Sequence, residues 1–134
     1  MSWSDAYIAI PFARLGRSRE GLDCWGLPCL VYAEQLGITL PSYTGSYTCD
    51  SERAELARLL DNGAMHGPWQ RVDTPQPFDL AGFTMAGHVS HVAICLGRDT
   101  ALHAHVDQVK ILRLDAAPWT HRLAGYWRHA GMLR

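Results

Sequence analysis

From Trp69 onward the chain is written in short apolar runs broken by turn residues: Trp69–Val72, Phe78–Phe83, Val89–Leu96, Ala101–His105, Val109–Leu114 and Gly125–Arg128, with Thr74-Pro75-Gln76-Pro77 and Gly97-Arg98-Asp99 between them. Runs of this length bounded by Gly, Pro and Asp are too short for helices and read as strands. Connections as tight as Gly97-Arg98-Asp99 join antiparallel neighbours, because a parallel pair needs a long crossover. The second half of the chain therefore specifies an antiparallel sheet.

Upstream the spacing changes. From Cys24 to Leu36, Leu27, Leu30, Val31 and Glu34 recur at threes and fours, Asp23 is placed to cap the first turn, and Gly37 is placed to stop the helix. Pro28 removes the bond to the Cys24 carbonyl, so either the first turn is distorted or the helix begins later. A second helix is expected from Ser51 to Asp61, capped by Ser51, with Leu56, Leu59 and Leu60 inward and Asn62-Gly63 ending it. Between the helices lies an aromatic loop with Tyr43 and Tyr47. Ahead of them, Pro11, Gly16 and Gly21 with Arg14, Arg17 and Arg19 read as a loop after the short apolar run Tyr7–Ile10. Helices first and an antiparallel sheet afterwards define an α+β class.

At 134 residues and 48% hydrophobic content the chain has material for one core, so residues 1–134 are read as a single domain. Twelve basic against thirteen acidic residues give a net charge of -1, which selects against nucleic acid or an anionic membrane as partner. No run of about 18 apolar residues is present, and no membrane insertion is expected. The opening Met1-Ser2-Trp3-Ser4-Asp5 lacks the basic stretch and apolar core of a signal peptide, so synthesis in the cytoplasm without processing is expected. On the same ground the four cysteines, Cys24, Cys29, Cys49 and Cys95, are expected as reduced thiols.

A cysteine at a helix start and histidines on later strands are the parts of a thiol nucleophile and its base. The helix N-terminus places partial positive charge beside the sulfur, and a neighbouring imidazolium lowers the thiol pKa further. The same terminus offers donors to an oxyanion. Cys29, Cys49 and Cys95 are better explained as packing residues. Period-2 alternation puts Val89, His91, Ala93 and Cys95 on one strand face and His88, Ser90, Val92, Ile94 and Leu96 on the other. The small residues that follow His91 on its face leave room for the helix carrying Cys24. His103 lies across the Gly97-Arg98-Asp99 turn, where pairing brings it within about 3 Å of His91 as an orienting group. Two other readings stand beside this one: half-buried histidines bonded to backbone, and a zinc site built from His88, His91, His103 and His105. Against zinc, His88 and His91 face opposite sides and no Cys-x-x-Cys completes the set, so no metal or other cofactor is expected.

These residues resemble the NlpC-type cell-wall endopeptidases, papain-like cysteine peptidases of bacteria and their phages. The resemblance runs through Pro11-Phe12, Gly16, Gly21-Leu22-Asp23-Cys24-Trp25-Gly26-Leu27, Phe78-Asp79-Leu80, His91-Val92-Ala93-Ile94-Cys95-Leu96-Gly97 and His103, and covers about Ile10 to Arg128. It is especially similar to the phage tail-tip branch, with Asp-Cys-Trp-Gly and the segment Glu34-Gln35-Leu36-Gly37-Ile38-Thr39-Leu40-Pro41-Ser42-Tyr43. The resemblance implies a papain-like NlpC fold with N-terminal helices on a central antiparallel sheet. It implies Cys24 as nucleophile, His91 as general base and His103 as orienting residue, with Asp23, Trp25, Phe12 and Ser90 beside the substrate. The implied substrate is a peptidoglycan stem peptide cut between γ-D-glutamate and a diamino acid, at the cell wall, by a phage or prophage tail component with tail-tip proteins as partners.

Three residues depart from the family pattern: Phe12 for a tyrosine, Trp25 for a serine that helps some relatives hold a free amine, and Pro28 for a helix former. Two alternatives remain open at the level of sequence. One is a structural tail-tip protein with little activity, its aromatic loop serving assembly; the other is a transferase or deamidase on the same scaffold.

Overall fold

The computed structural model describes residues 3–41, 68–85 and 88–132, with the side chains of residues 85 and 88–90 left out. The expected helix from Ser51 to Asp61, the loop tyrosines 43 and 47, and Cys49 lie outside the described residues. The architecture is α+β: among the described residues, a six-stranded antiparallel sheet with few helices. In chain order the elements are a 3-10 turn at Trp3–Ala6, β1 (Arg17–Ser18), β2 (Gly21–Leu22), α1 (Gly26–Val31) running on through a wider turn to Leu36, β3 (Trp69–Val72), β4 (Leu80–Met85), β5 (His88–Cys95), β6 (Thr100–His105), β7 (Gln108–Arg113), α2 (Trp119–Arg122) and β8 (Leu123–His129). The sheet order is β3-β8-β4-β5-β6-β7, with β1 and β2 forming a separate small hairpin.

All six expected strands are present, with ends that shift for local reasons. β4 begins at Leu80 and not Phe78, because Phe78 sits at φ 77°, a left-handed conformation that breaks the extended run. The hairpin β1/β2 falls in a stretch read as loop, and α2 in a stretch without helical spacing; two-residue strands and a four-residue helix are too short to show a period.

The helix follows its capping chemistry. Its first backbone bond runs from Leu27 N–H to the Asp23 carbonyl (3.2 Å), and the Asp23 carboxylate accepts the Gly26 N–H (2.7 Å), which makes Asp23 the working cap. Cys29 N–H reaches Trp25 O (3.2 Å), so Pro28 interrupts one bond in the early helix without stopping it. Gly37 closes the helix in the left-handed conformation (φ 67°), where a side chain would be strained.

Alternation along the strands divides the interior in two. Leu80, Val92, Ile94, Leu102, Ala104 and Val109 join Tyr7, Trp25, Leu27, Val31 and Tyr32 in the larger cluster, so α1 packs on that face. Ala81, Phe83, Ala93, Cys95, Ala101, Leu112 and Leu114 form a smaller cluster, covered by Trp119 of α2 with Leu123 and Tyr126. Each large aliphatic side chain fully buried in either contributes about 1.5–3 kcal/mol. Between the sheet and its outer end, Asp79 is wholly buried and held by Arg128 through two bonds (Nε to Oδ1, 2.9 Å; Nη2 to Oδ2, 2.7 Å). Segment 9–12 lies along β7: Ala9 N–H donates to Val109 O (2.9 Å), Val109 N–H to Ile10 O (2.8 Å) and Phe12 N–H to Asp107 O (2.9 Å).

Candidate active site

The turn that presents Cys24 is built by backbone packed directly on backbone. A Cβ added at Gly26 would lie 2.0 Å from the Gly16 carbonyl oxygen, and one at Gly16 would lie 2.3 Å from the Gly21 oxygen. Only glycine permits these approaches. Asp23 locks the same turn: Oδ1 accepts from Gly26 N–H (2.7 Å) and Arg17 Nη1 (2.6 Å), and Oδ2 from Leu15 N–H (3.0 Å). Arg17 Nη1 also donates to Gly16 O (2.8 Å), tying the loop to the cap. Cys24 is a half-buried thiol at the edge of the larger cluster.

The expectation that Asp23 and Trp25 contact substrate is corrected by this geometry. Asp23 is 1% exposed with both carboxylate oxygens engaged by the protein, and Trp25 is completely buried with Nε1 donating to Pro41 O (2.7 Å). Both hold the turn from inside and offer no face to a ligand. Phe12 is 38% exposed, and its backbone bridges to Leu22, two residues before the cysteine. Ser90 lies in β5, and its side chain is outside the described residues.

The histidines come together as strand parity requires. β5 pairs with β6 at Ile94–Leu102 and Cys95–Ala101, which puts His91, Ala93, Ala101, His103 and His105 on one face. Nε2 of His91 and Nδ1 of His103 stand 3.0 Å apart, in a nearly closed environment. Burial, first of all, pushes the pKa of both rings well below the ordinary 6.5, and neighbouring positive charge adds to it: His103, His105 and Arg122 act on His91, and His105 and Lys110 on His103. The pair is therefore neutral at neutral pH. The tautomer in which His91 Nε2–H donates to His103 leaves His91 Nδ1 as a lone-pair base.

The space over His91 is filled differently from the sequence-based expectation. The element on that face is α2: the Trp119 ring stacks on His91 (centroids 5.4 Å, 28° between planes) and meets His103 edge-on (4.9 Å, 84°). The helix after Cys24 meets β5 on the opposite row, the side of Val92 and Ile94. Small residues beside a histidine signal that something large packs there, but not which element supplies it. Trp119 and His105 were not singled out as partners of the base. His105 stacks on His103 (5.1 Å, 12°), and its period-2 spacing from His103 was the one available signal. Among the described residues no group of three or more His, Cys, Asp or Glu is arranged to hold a metal ion.

The profile of the NlpC/P60 family matches residues 10–128, nearly the whole chain. The chain belongs to the NlpC/P60 family. Solved structures agree with the assignment. The chain is similar to an NlpC/P60 family protein of Bacillus cereus ATCC 10987 (25% identity, TM-score 0.70, covering 95% of this chain and 38% of that one). It is also similar to an NLP/P60 family protein, described as similar to a lipoprotein, of Staphylococcus aureus Mu50 (26% identity, TM-score 0.69, covering 94% and 38%). The NlpC/p60 domain of the peptidoglycan hydrolase SagA shares the fold (23% identity, TM-score 0.60, covering 92% and 90%). This NlpC/P60 chain thus spans 38% of the length of two of these proteins and nearly all of the SagA domain. No curated protein matches it.

Proposed function

We propose that this NlpC/P60 chain is a cysteine endopeptidase of peptidoglycan stem peptides, with Cys24 as nucleophile, His91 as general base and His103 as the residue that orients it. The observation that carries the reading is the buried contact between His91 Nε2 and His103 Nδ1 (3.0 Å): with the proton on His91 Nε2, His103 accepts it and His91 Nδ1 is the base. Family membership supports the same chemistry, as does the likeness in fold to a domain named as part of a peptidoglycan hydrolase.

This reading requires the Cys24 turn, at the mouth of α1, to reach the His91 ring although the body of α1 packs on the other row of β5; the Cys24 proton then passes to His91 Nδ1 and the thiolate adds to the scissile carbonyl carbon. The tetrahedral intermediate collapses to a thioester as the protonated His91 donates to the leaving amine. Water, deprotonated by His91, then attacks the thioester carbon and releases the acid and the thiol. The bond assigned is the one joining γ-D-glutamate to a diamino acid. The setting assigned is a phage or prophage tail, synthesised in the cytoplasm, acting at the cell wall and docked to other tail-tip proteins. Support for the setting comes from the sequence pattern Asp23-Cys24-Trp25-Gly26 and the segment Glu34–Tyr43.

The deciding experiment incubates purified peptidoglycans of several diamino-acid types with wild type, Cys24→Ala and His91→Ala and identifies fragments by mass spectrometry. Wild-type cleavage at the γ-D-glutamyl bond, lost in both variants, is the expected result. No cleavage of any peptidoglycan rejects the peptidase, and cleavage surviving in Cys24→Ala rejects the nucleophile. Mass spectrometry of purified tail particles tests the setting.

A further inference from the structure

α2 is four residues long, none fully buried, and three of them, Thr120, His121 and Arg122, point into solvent. Trp119 alone turns inward, and what it touches is the histidine cluster. Its ring lies against His91 (5.4 Å, 28°), His103 (4.9 Å, 84°) and His105 (5.3 Å, 84°), with Phe83 of β4 beside His91 completing the contact (5.2 Å, 69°). The Arg122 guanidinium stands over the outer part of the same indole at 5.9 Å. A tryptophan used only to anchor a short helix needs apolar neighbours; here three imidazoles supply much of its contact.

We infer that Trp119 is a positioning residue: its indole clamps the His91 and His103 rings and keeps water away from the hydrogen bond between them. The inference rests on His91 being the base, but the clamp itself is open to measurement on the histidines directly.

The physical argument has two parts. A histidine ring can swing about its side-chain bonds unless neighbours crowd it, and the rings of Phe83 (6.0 Å) and Trp119 (5.4 Å), themselves in contact (5.2 Å), pack together against His91. A hydrogen bond shielded from water is also stronger than an exposed one, because no solvent competes for the donor. The same shielding disfavours the charged imidazolium, in keeping with the lowered pKa of both rings. The charged and titratable groups around the pair are His103 and His105 from β6, Arg122 from α2, Lys110 from β7 acting on His103 and His105, and Asp107 acting on His105. Apart from Asp107, which reaches only His105, these groups are cationic or histidine, so admitting water is the change that relieves His91.

The test is histidine-labelled NMR of the whole chain across pH for wild type, Trp119→Ala and Trp119→Phe, with turnover of a soluble stem-peptide fragment measured in parallel. In Trp119→Ala the His91 midpoint rises by about a unit or more, exchange of its Nε2 proton quickens at least about tenfold, and kcat falls about tenfold with KM little changed. Trp119→Phe, which keeps an aromatic cover, returns the midpoint to within about half a unit of wild type. A folded Trp119→Ala with the His91 midpoint, tautomer and exchange of the wild type overturns the inference. If Trp119→Ala does not fold, Trp119→Leu keeps apolar volume without the flat cover, and the same readouts decide with an expected shift of about half a unit. A wild type inactive on every fragment rejects the base assignment, while the titration still decides whether Trp119 clamps the pair.

Discussion

The two faces of the central sheet are built on different terms. The face toward α1 is packed with large aliphatic and aromatic side chains, among them Val92, Ile94 and Leu102 against Leu27, Val31 and Trp25. The face toward α2 carries small residues, Ala81, Ala93, Cys95 and Ala101, and the polar rings of His91 and His103. One β-strand serves both, residue by residue. The difference teaches that β5 separates stability from chemistry by parity: Val92 and Ile94 hold the fold together, and on the other row His91 lies under a thin cover.

The separation can be broken from either side. The largest expected effects are on catalysis: His103→Ala lowers peptidoglycan cleavage by about 10²- to 10³-fold, as measured by fragment yield. Cys24→Ala abolishes cleavage with the fold intact. On the other row, Ile94→Ala costs about 2–5 kcal/mol in denaturant unfolding and leaves the titration of His91 unchanged, because Ile94 is part of the larger cluster. Ala93→Val, on the histidine row, costs about 1–3 kcal/mol by overpacking and disturbs the His91 signals as well. If Ile94→Ala shifts His91 as much as Ala93→Val does, the two faces are not independent.

The remaining effect is graded with pH. His91 and His103 are held neutral in the folded chain, with pKa values below the ordinary 6.5, so the unfolded chain binds more protons as pH falls. Stability from this source is complete above about pH 6.5 and declines below it, by up to about 1.4 kcal/mol per pH unit for each ring. Unfolding curves from pH 7 to 4.5 should show this slope, and the double variant His91→Gln, His103→Gln should flatten it.

Much of this was legible in the residues. The six strands were readable because each run ends in turn residues, and the parity that brings His103 to His91 follows from one tight turn. Asp23 was readable as a cap from its place before the helical spacing. Its burial was not, because the Arg17 and Leu15 that occupy its carboxylate come from a loop whose path no periodicity records. Trp25 went the same way: a tryptophan beside a nucleophile looks available to substrate until the Pro41 carbonyl is seen to take its N–H. What fills the space over His91 was invisible for a third reason. α2 is a single turn reached through irregular chain, and neither length nor pattern sets it apart from a loop.

The strip of chain at 9–12 has a consequence for self-association. β7 is the last strand of the sheet, and an uncovered last strand is a template for a second chain to join. Ala9, Ile10 and Phe12 occupy the backbone groups of Asp107 and Val109 that such a visitor would use. Those partners lie at opposite ends of the sequence, so the seal closes only after the sheet has formed, leaving an interval in every folding event when self-association competes with completion.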